Sequence, residues 1–254
     1  MARESKKAAG IRWRLWLGLA LAALLTASTA MAAFKTLAYV MTDPRFLLPA
    51  NTQDAVAIQG LNFADRAKVR AVFAADLGAS AFSVPLAERR RRLLAVDWVL
   101  DAAVSRVWPN RLLVRIRERK PVAFVAFPSG PMLVDAEGVL LPLPPRAHFT
   151  FPVIDGIHPA DSAAQRRQGV AAFLAFQQDM GYLANDVSEV DVADPGDIVA
   201  VARIQNRAVE LLLGDSSFAT RYQNFVSHYD EIRKESPDAG TFDLRLDDRI
   251  TARK

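Results

Sequence analysis

Between residues 15 and 34 the sequence carries no charged side chain. An uncharged run of about 20 residues makes about 30 Å of α-helix, the thickness of a bilayer's hydrocarbon core. Arg12 and Arg14 close the run on one side and Lys35 on the other. Arg3, Lys6 and Lys7 lie ahead of it, against the single acid Glu4. A positive flank holds its end in the cytoplasm and sends the rest of the chain outward. Trp13 and Trp16, then Phe34 and Tyr39, stand where interfacial aromatic belts lie. The small-x-small step Ala30-Met31-Ala32 keeps a cleaved signal peptide open as the alternative. Signal-peptide cores are about 7–15 residues, so the length of the run favours a retained anchor. Either way the remainder of the chain is exported.

The sequence contains no cysteine, which excludes disulfides, a thiolate nucleophile and a sulfur-ligated zinc site. The net charge is +4, and residues 1–14, with five basic residues and one acid, account for it. The exported part is close to neutral and gives a nucleic-acid role no support.

The exported part reads as α+β and divides near Lys120-Pro121. In its first unit, Val56-Ala57-Ile58 is a short strand ended by Gly60. Asn62 is placed to cap a helix whose apolar face is Val69, Val72, Phe73 and Leu77. A second helix, with Pro85 in its first turn, carries Leu86, Leu93 and Leu94. Strands over residues 99–107 and 111–119 follow, joined at Trp108-Pro109-Asn110. Leu112, Val114 and Ile116 alternate with Leu113, Arg115 and Arg117, so one face is buried and the other mostly wet. The order is β-α-α-β-β, a small sheet with two helices on one side. The second unit has strands at 122–127, 132–135, 139–141, 187–192, 198–204 and 208–213. Its helices are at 162–180 and 217–234, and a closing strand spans 241–246. Phe218, Tyr222, Phe225, Tyr229 and Ile232 form a helical apolar stripe, read as a core face.

No catalytic constellation stands out. Gly-x-Ser-x-Gly, the phosphate loop and His-Glu-x-x-His are absent. His148, His158 and His228 are far apart, so neither a metal nor another cofactor is expected. The pairs Asp247-Asp248 and Asp194/Asp197 sit in polar turns or at strand ends, as solvated acids do. Arg89-Arg90-Arg91-Arg92 fan over about 400° of helix and cannot form one phosphate clamp. A solvated face is the simpler reading, and a partner-contact surface using Arg89 and Arg92 is the alternative.

The segment Leu86-Ala-Glu-Arg-Arg-Arg-Arg-Leu-Leu-Ala-Val-Asp-Trp98-Val99 leads into Val104-Ser-Arg-Val-Trp108-Pro109-Asn-Arg-Leu112-Leu-Val114-Arg-Ile116-Arg-Glu118-Arg-Lys-Pro121-Val-Ala123. Together they resemble the POTRA domain of FtsQ/DivIB-type bacterial cell-division proteins. Met132-Leu-Val-Asp135-Ala-Glu-Gly138 is similar to the hairpin that opens that family's β-domain. Pro152-Val153-Ile154-Asp-Gly156 is similar to its Pro-x-Ile/Leu-x-Gly step. Asp243-Leu-Arg245-Leu-Asp-Asp-Arg-Ile250 is similar to its closing strand, with Leu246 where many relatives carry tyrosine.

The resemblance implies a cytoplasmic tail (1–14), a transmembrane helix (15–35), a connector (36–53), a POTRA domain (54–120) and a β-domain (121–254). It implies a non-enzymatic, single-pass inner-membrane scaffold at the division septum, with its C-terminal domains in the periplasm. Its partners are then small bitopic division proteins of the FtsB and FtsL type. Being last in the chain, residues 241–250 are expected at a sheet edge open to a partner strand. Thr241, Phe242, Asp243, Leu244, Arg245, Leu246, Arg249 and Ile250 are the expected contact residues. Phe242, Leu244 and Leu246 are expected to face the core, leaving Asp243, Arg245 and Arg249 free for polar contacts. The competing function is an exported cell-wall enzyme with a cleaved signal peptide.

Overall fold

The computed structural model describes residues 4–145, 147–246 and 249–253. Arg3 of the basic flank and the pair Asp247-Asp248 lie outside the described residues. The uncharged run is the middle of one long helix, α1 (Glu4–Thr42), which continues beyond Lys35 and stops before Asp43-Pro44. Proline disfavours helical geometry in the residue before it, which fixes this end. The span Trp16–Thr42 is apolar on average and has no buried residue, and it is long enough to cross a bilayer. The chain divides into two compact units, Met1–Glu118 and Arg119–Lys254.

The N-terminal unit adds a short helix α2 (Thr52–Ala55) and then β1 (Val56–Gln59), α3 (Arg66–Ala71), α4 (Leu86–Leu93), β2 (Val99–Val107) and β3 (Arg111–Glu118). The sheet order is β1-β3-β2, with β1 parallel and β2 antiparallel to β3. Leu112, Val114 and Ile116 are buried, and Val69, Phe73 and Leu93 of the helical layer are fully enclosed. The cap expected at Asn62 is at Asp65, whose carboxylate accepts the Ala67 N–H at 2.7 Å. Asn62 is taken instead by Glu118, which accepts the N–H groups of Asn62, Phe63 and Ala64 at 2.9, 2.9 and 2.8 Å. A glutamate at the end of β3 thereby ties down the loop after β1. Pro85 is the cap residue of α4 rather than a first-turn residue.

The arginine run divides its labour. Arg90 reaches the Ala102 carbonyl at 2.7 Å and Asp101 at 2.8 Å, tying α4 to β2. Arg92 is exposed and pairs with Glu88 one turn earlier. Arg89 corrects the expectation of a surface contact: it is buried and grips Asp76 through Nε at 2.6 Å and Nη2 at 2.7 Å. The Asp76 carboxylate holds the Arg89 guanidinium protonated beyond its ordinary range.

The C-terminal unit is a nine-stranded mixed sheet under two helices. Its strands are β4 (Pro121–Phe127), β5 (Gly130–Asp135), β6 (Leu140–Leu141), β7 (Val153–Asp155), β8 (Val187–Asp191), β9 (Ile198–Ile204), β10 (Arg207–Gly214), β11 (Thr241–Asp243) and β12 (Thr251–Arg253). Their spatial order is β12-β11-β10-β9-β8-β7-β4-β5-β6. Helix α5 (Ala163–Met180) opens with a reciprocal capping box between Ser162 and Gln165. Helix α6 (Phe218–Glu235) buries Phe218, Tyr222, Phe225 and Tyr229, so its apolar stripe is a core face. These side chains join Phe173, Phe176 and the buried residues of β8 to β11 in one apolar cluster.

The short glycine motifs acquire physical reasons here. Buried Asp135 accepts the N–H groups of Glu137 and Val139 and pairs with Arg119 at 2.6 Å, which closes the β5–β6 turn. Gly138 in that turn has φ +75°, and a Cβ there would lie 2.7 Å from the Arg167 backbone nitrogen. Gly156 has φ +80°, and a Cβ would meet the Ala193 backbone at 2.3 Å. Only glycine satisfies both the conformation and the close approach.

The buried Asp76–Arg89 pair gives a stability test. Asp76→Ala removes both oxygens that grip the buried guanidinium and leaves it only Glu88, at 3.1 Å; it is expected to cost about 3 kcal/mol, whereas replacing both partners by apolar residues of similar volume costs far less. Urea unfolding followed by tryptophan fluorescence, with buried Trp98 in the same unit, distinguishes the two.

Candidate functional site

The last strand that packs into the core, β11, is only three residues long. It pairs in parallel with β10, Leu211 opposite Phe242, and antiparallel with β12, Phe242 opposite Ala252. The sheet edge therefore belongs to Thr251–Arg253, not to the expected strand over residues 241–246. Phe242 ties this end of the sheet to α6: its ring lies 4.8 Å from Phe225 and 6.2 Å from Tyr229, centroid to centroid. Thr241 and Asp243 flank it, half-buried.

Of the three residues expected to face the core, Phe242 and Leu244 are buried and Leu246 is not; it is 48 % exposed. The chain leaves the sheet after Asp243, so the two-residue alternation of a strand no longer governs where Leu246 points. Leu246 instead lines a shallow hollow of about 120 Å³ with Leu244, Ile250 and the α6 residues Thr220, Arg221 and Asn224.

Asp243 and Arg245 are not free either. Arg245 donates to both Asp243 oxygens, at 2.9 Å through Nε and 2.7 Å through Nη2, and to Asp197 at 3.0 Å. Arg253 of the edge strand approaches the same Asp243 carboxylate at 3.8 Å. The Arg245 hydrogen bonds hold the Asp243 carboxyl down at about 2, and the Arg245 guanidinium is raised in turn. Geometry thus makes Asp243 a clasp between the post-strand turn and the edge strand. Arg249 is exposed, and Ile250 is half-buried against the core. The site that results is a three-residue edge strand beside a small apolar hollow, held in place by an acid with two arginines. At this edge sequence reasoning missed β12, because Thr-Ala-Arg carries neither apolar alternation nor a turn signal; elsewhere it also missed the short β7 and α2.

The histidines His148, His158 and His228 are exposed, and among the described residues no group of three His, Asp or Glu side chains could hold a metal ion. Asp197 serves Arg245, and Asp194 accepts the Gly196 N–H at 2.9 Å within its own turn. A concavity of the C-terminal unit, about 620 Å³, is lined by Thr150, Gln177, Asn185, Asp186 and Arg203 among others. The Tyr222 hydroxyl donates to Asp186 at 3.1 Å from within the core.

The Asp243 clasp has a pH signature. Its folded-state carboxyl lies below the ordinary 3.8, so the clasp stabilises the segment fully above that value. The stabilisation is lost as the pH falls toward about 2. Amide-exchange protection of residues 241–253 is expected to fall over that window, and Asp243→Asn is expected to abolish the pH dependence by removing the ion pair at every pH.

Comparison with known proteins places these features. Residues 52–119 match the family model for the FtsQ-type POTRA domain. The cell division protein FtsQ of Koribacter versatilis is 32 % identical over 212 residues, covering 81 % of this chain and 60 % of the relative. FtsQ of Streptomyces griseus is 29 % identical over 75 % of this chain and 91 % of that protein. FtsQ of Bordetella pertussis is 35 % identical over 41 % of this chain and 36 % of the relative. The chain thus spans 60 % of the length of the Koribacter relative. With an apolar N-terminal helix, a POTRA domain of this type and the mixed sheet that follows, the chain belongs to the FtsQ family of cell-division proteins.

Proposed function

We propose that the chain is a non-enzymatic, membrane-anchored scaffold of the bacterial division machinery. On this reading residues 1–14 are a cytoplasmic tail, and residues 15–35 cross the inner membrane once. A connector (36–53) leads to the POTRA domain (54–120) and the β-domain (121–254), both in the periplasm at the septum. The partners are small bitopic proteins of the FtsB and FtsL type. The observation that carries the binding mechanism is the open side of β12 at the end of a nine-stranded sheet. A partner segment can add there as a further strand, its main chain pairing with β12. An apolar side chain of that partner fits the hollow lined by Leu244, Leu246 and Ile250. Arg249 supplies an exposed charge beside it. Thr241, Phe242, Asp243 and Arg245 act from behind: they hold the edge in place rather than touch the partner. On the POTRA domain, Arg92 remains an exposed contact candidate.

The membrane anchor contributes through geometry. Confining both proteins to one bilayer raises their effective concentration, so a three-residue edge and one small hollow can suffice for capture.

Photocrosslinking probes at Leu246, Arg249 and Thr251 in growing cells, with mass identification of the adducts, test this reading. Adducts with a small bitopic coiled-coil protein are expected. Ala252→Pro, which removes an edge N–H and restricts the backbone, is expected to reduce capture at least tenfold while cooperative unfolding of the domain persists. Adducts only from Arg92 would move the binding surface to the POTRA domain. Unaltered capture by the proline variant would exclude strand addition.

A further inference from the structure

The exit of α1 is not a loose tether. The buried Ser80 hydroxyl donates to the carbonyl of Val40 in the last turns of that helix, at 2.9 Å. The chain just past the helix runs beside the Ser80 loop: Ala81 N–H donates to Phe46 O at 2.8 Å, and Leu48 N–H to Ala79 O at 2.9 Å. Three rings continue the contact, with Tyr39 6.0 Å from Phe46 and Phe46 5.7 Å from Phe82. Arg106, near the end of β2, then secures the loop from the sheet side. Its guanidinium donates to the carbonyls of Ala81, Phe82 and Val84 at 2.8, 3.1 and 2.8 Å. A continuous run of hydrogen bonds therefore leads from the membrane-crossing helix through this loop to the POTRA sheet.

The loop is held on both sides, yet the Phe82 ring is 40 % exposed. Arg106 lies two residues before Trp108, so the β2–β3 hairpin tip sits at the same end of the unit. There Val107 is 41 % and Trp108 77 % exposed. Val56, the first residue of β1, pairs with Leu112 beside that tip, so the chain also enters the sheet at this end. Exposed aromatic and aliphatic side chains thus gather where α1 arrives.

The height of this end follows from helix geometry. The uncharged run fills about 30 Å of hydrocarbon and ends before Lys35. Val40 lies five residues further, about 8 Å along the axis, at the level of the lipid headgroups. A rigid loop hydrogen-bonded to Val40 is held at the same level. Phe and Trp side chains favour that layer, and tryptophan satisfies its N–H there.

We propose that the helix-exit end of the N-terminal unit is a membrane-contact surface, with Phe82 and Trp108 seated in the headgroup layer of the outer leaflet. The occupant is lipid and not protein, because the surface is fixed to a helix that is itself in the bilayer. The contact sets the height and tilt of the POTRA domain above the membrane. It rests on the anchor reading of α1, and the test separates the two.

The absence of native cysteine allows single-site spin labelling of the full chain in phosphatidylethanolamine–phosphatidylglycerol vesicles. Labels at Phe82→Cys and Trp108→Cys are compared with Leu24→Cys in the middle of the span. Ala95→Cys serves as the reference at the other end of the sheet, about 20 Å away along β3. Collision with oxygen relative to a water-soluble nickel complex is expected to be several-fold higher at 82 and 108 than at 95. Val107→Cys, which leaves both rings in place, is expected to report the same depth. Aqueous values at 82, 107 and 108 together with a hydrocarbon value at 24 would overturn the contact and leave the anchor standing. An aqueous value at 24 would overturn both.

Discussion

One face of the nine-stranded sheet must be covered, and helices α5 and α6 cover it. Phe173, Phe176, Phe225 and Phe242 are fully enclosed where they meet, and they are among the largest wholly buried side chains of the chain. Burying an aromatic ring of this size contributes about 1.5–3 kcal/mol each. Phe242 matters most to the arrangement, because it is the only one of the four that comes from the C-terminal segment. By lodging against Phe225 and Tyr229 it makes a three-residue strand part of the core. The edge strand then has a rigid neighbour to pair with. On the proposed strand addition, a partner segment would meet an ordered edge, which lowers the entropy cost of pairing.

Charged residues in this protein mostly hold structure. Glu118 gathers three backbone N–H groups, Asp135 closes a turn and grips Arg119, Asp76 encloses Arg89, and Asp243 joins Arg245 to Arg253. In each case a carboxylate accepts from backbone N–H groups or from a guanidinium. These groups act as structural ties between segments distant in sequence.

Two positional devices complement each other. At the N-terminal unit the Ser80–Val40 bond and the Arg106 clamp couple the membrane helix to a domain. At the C-terminal unit the Asp243 clasp fixes the edge strand. Each removes freedom at a place where a flexible joint would cost affinity or orientation.

The sequence by itself determined whatever depends on local pattern. The uncharged run specified the span, alternation specified β3, and the four-three spacing specified α6 as a core helix. The β-α-α-β-β order and its Trp98-Val99 and Glu118-x-x-Pro121 landmarks were legible for the same reason, since each is a short segment with its own periodicity. Tertiary structure decided what depends on partners distant in sequence. Asn62 looked like a helix cap, but Glu118, 56 residues away, competes for its N–H and the cap moves to Asp65. Arg89 looked like one of four solvated arginines, but Asp76 on a separate turn buries it. The strand at 241–246 ends after Asp243 because Arg245 turns back onto that carboxylate, and β12 forms because β11 offers it a free side. Strand pairing and buried ion pairs are set by which segments the packed core brings side by side. A one-dimensional pattern contains the preference of each segment but not the identity of its neighbour.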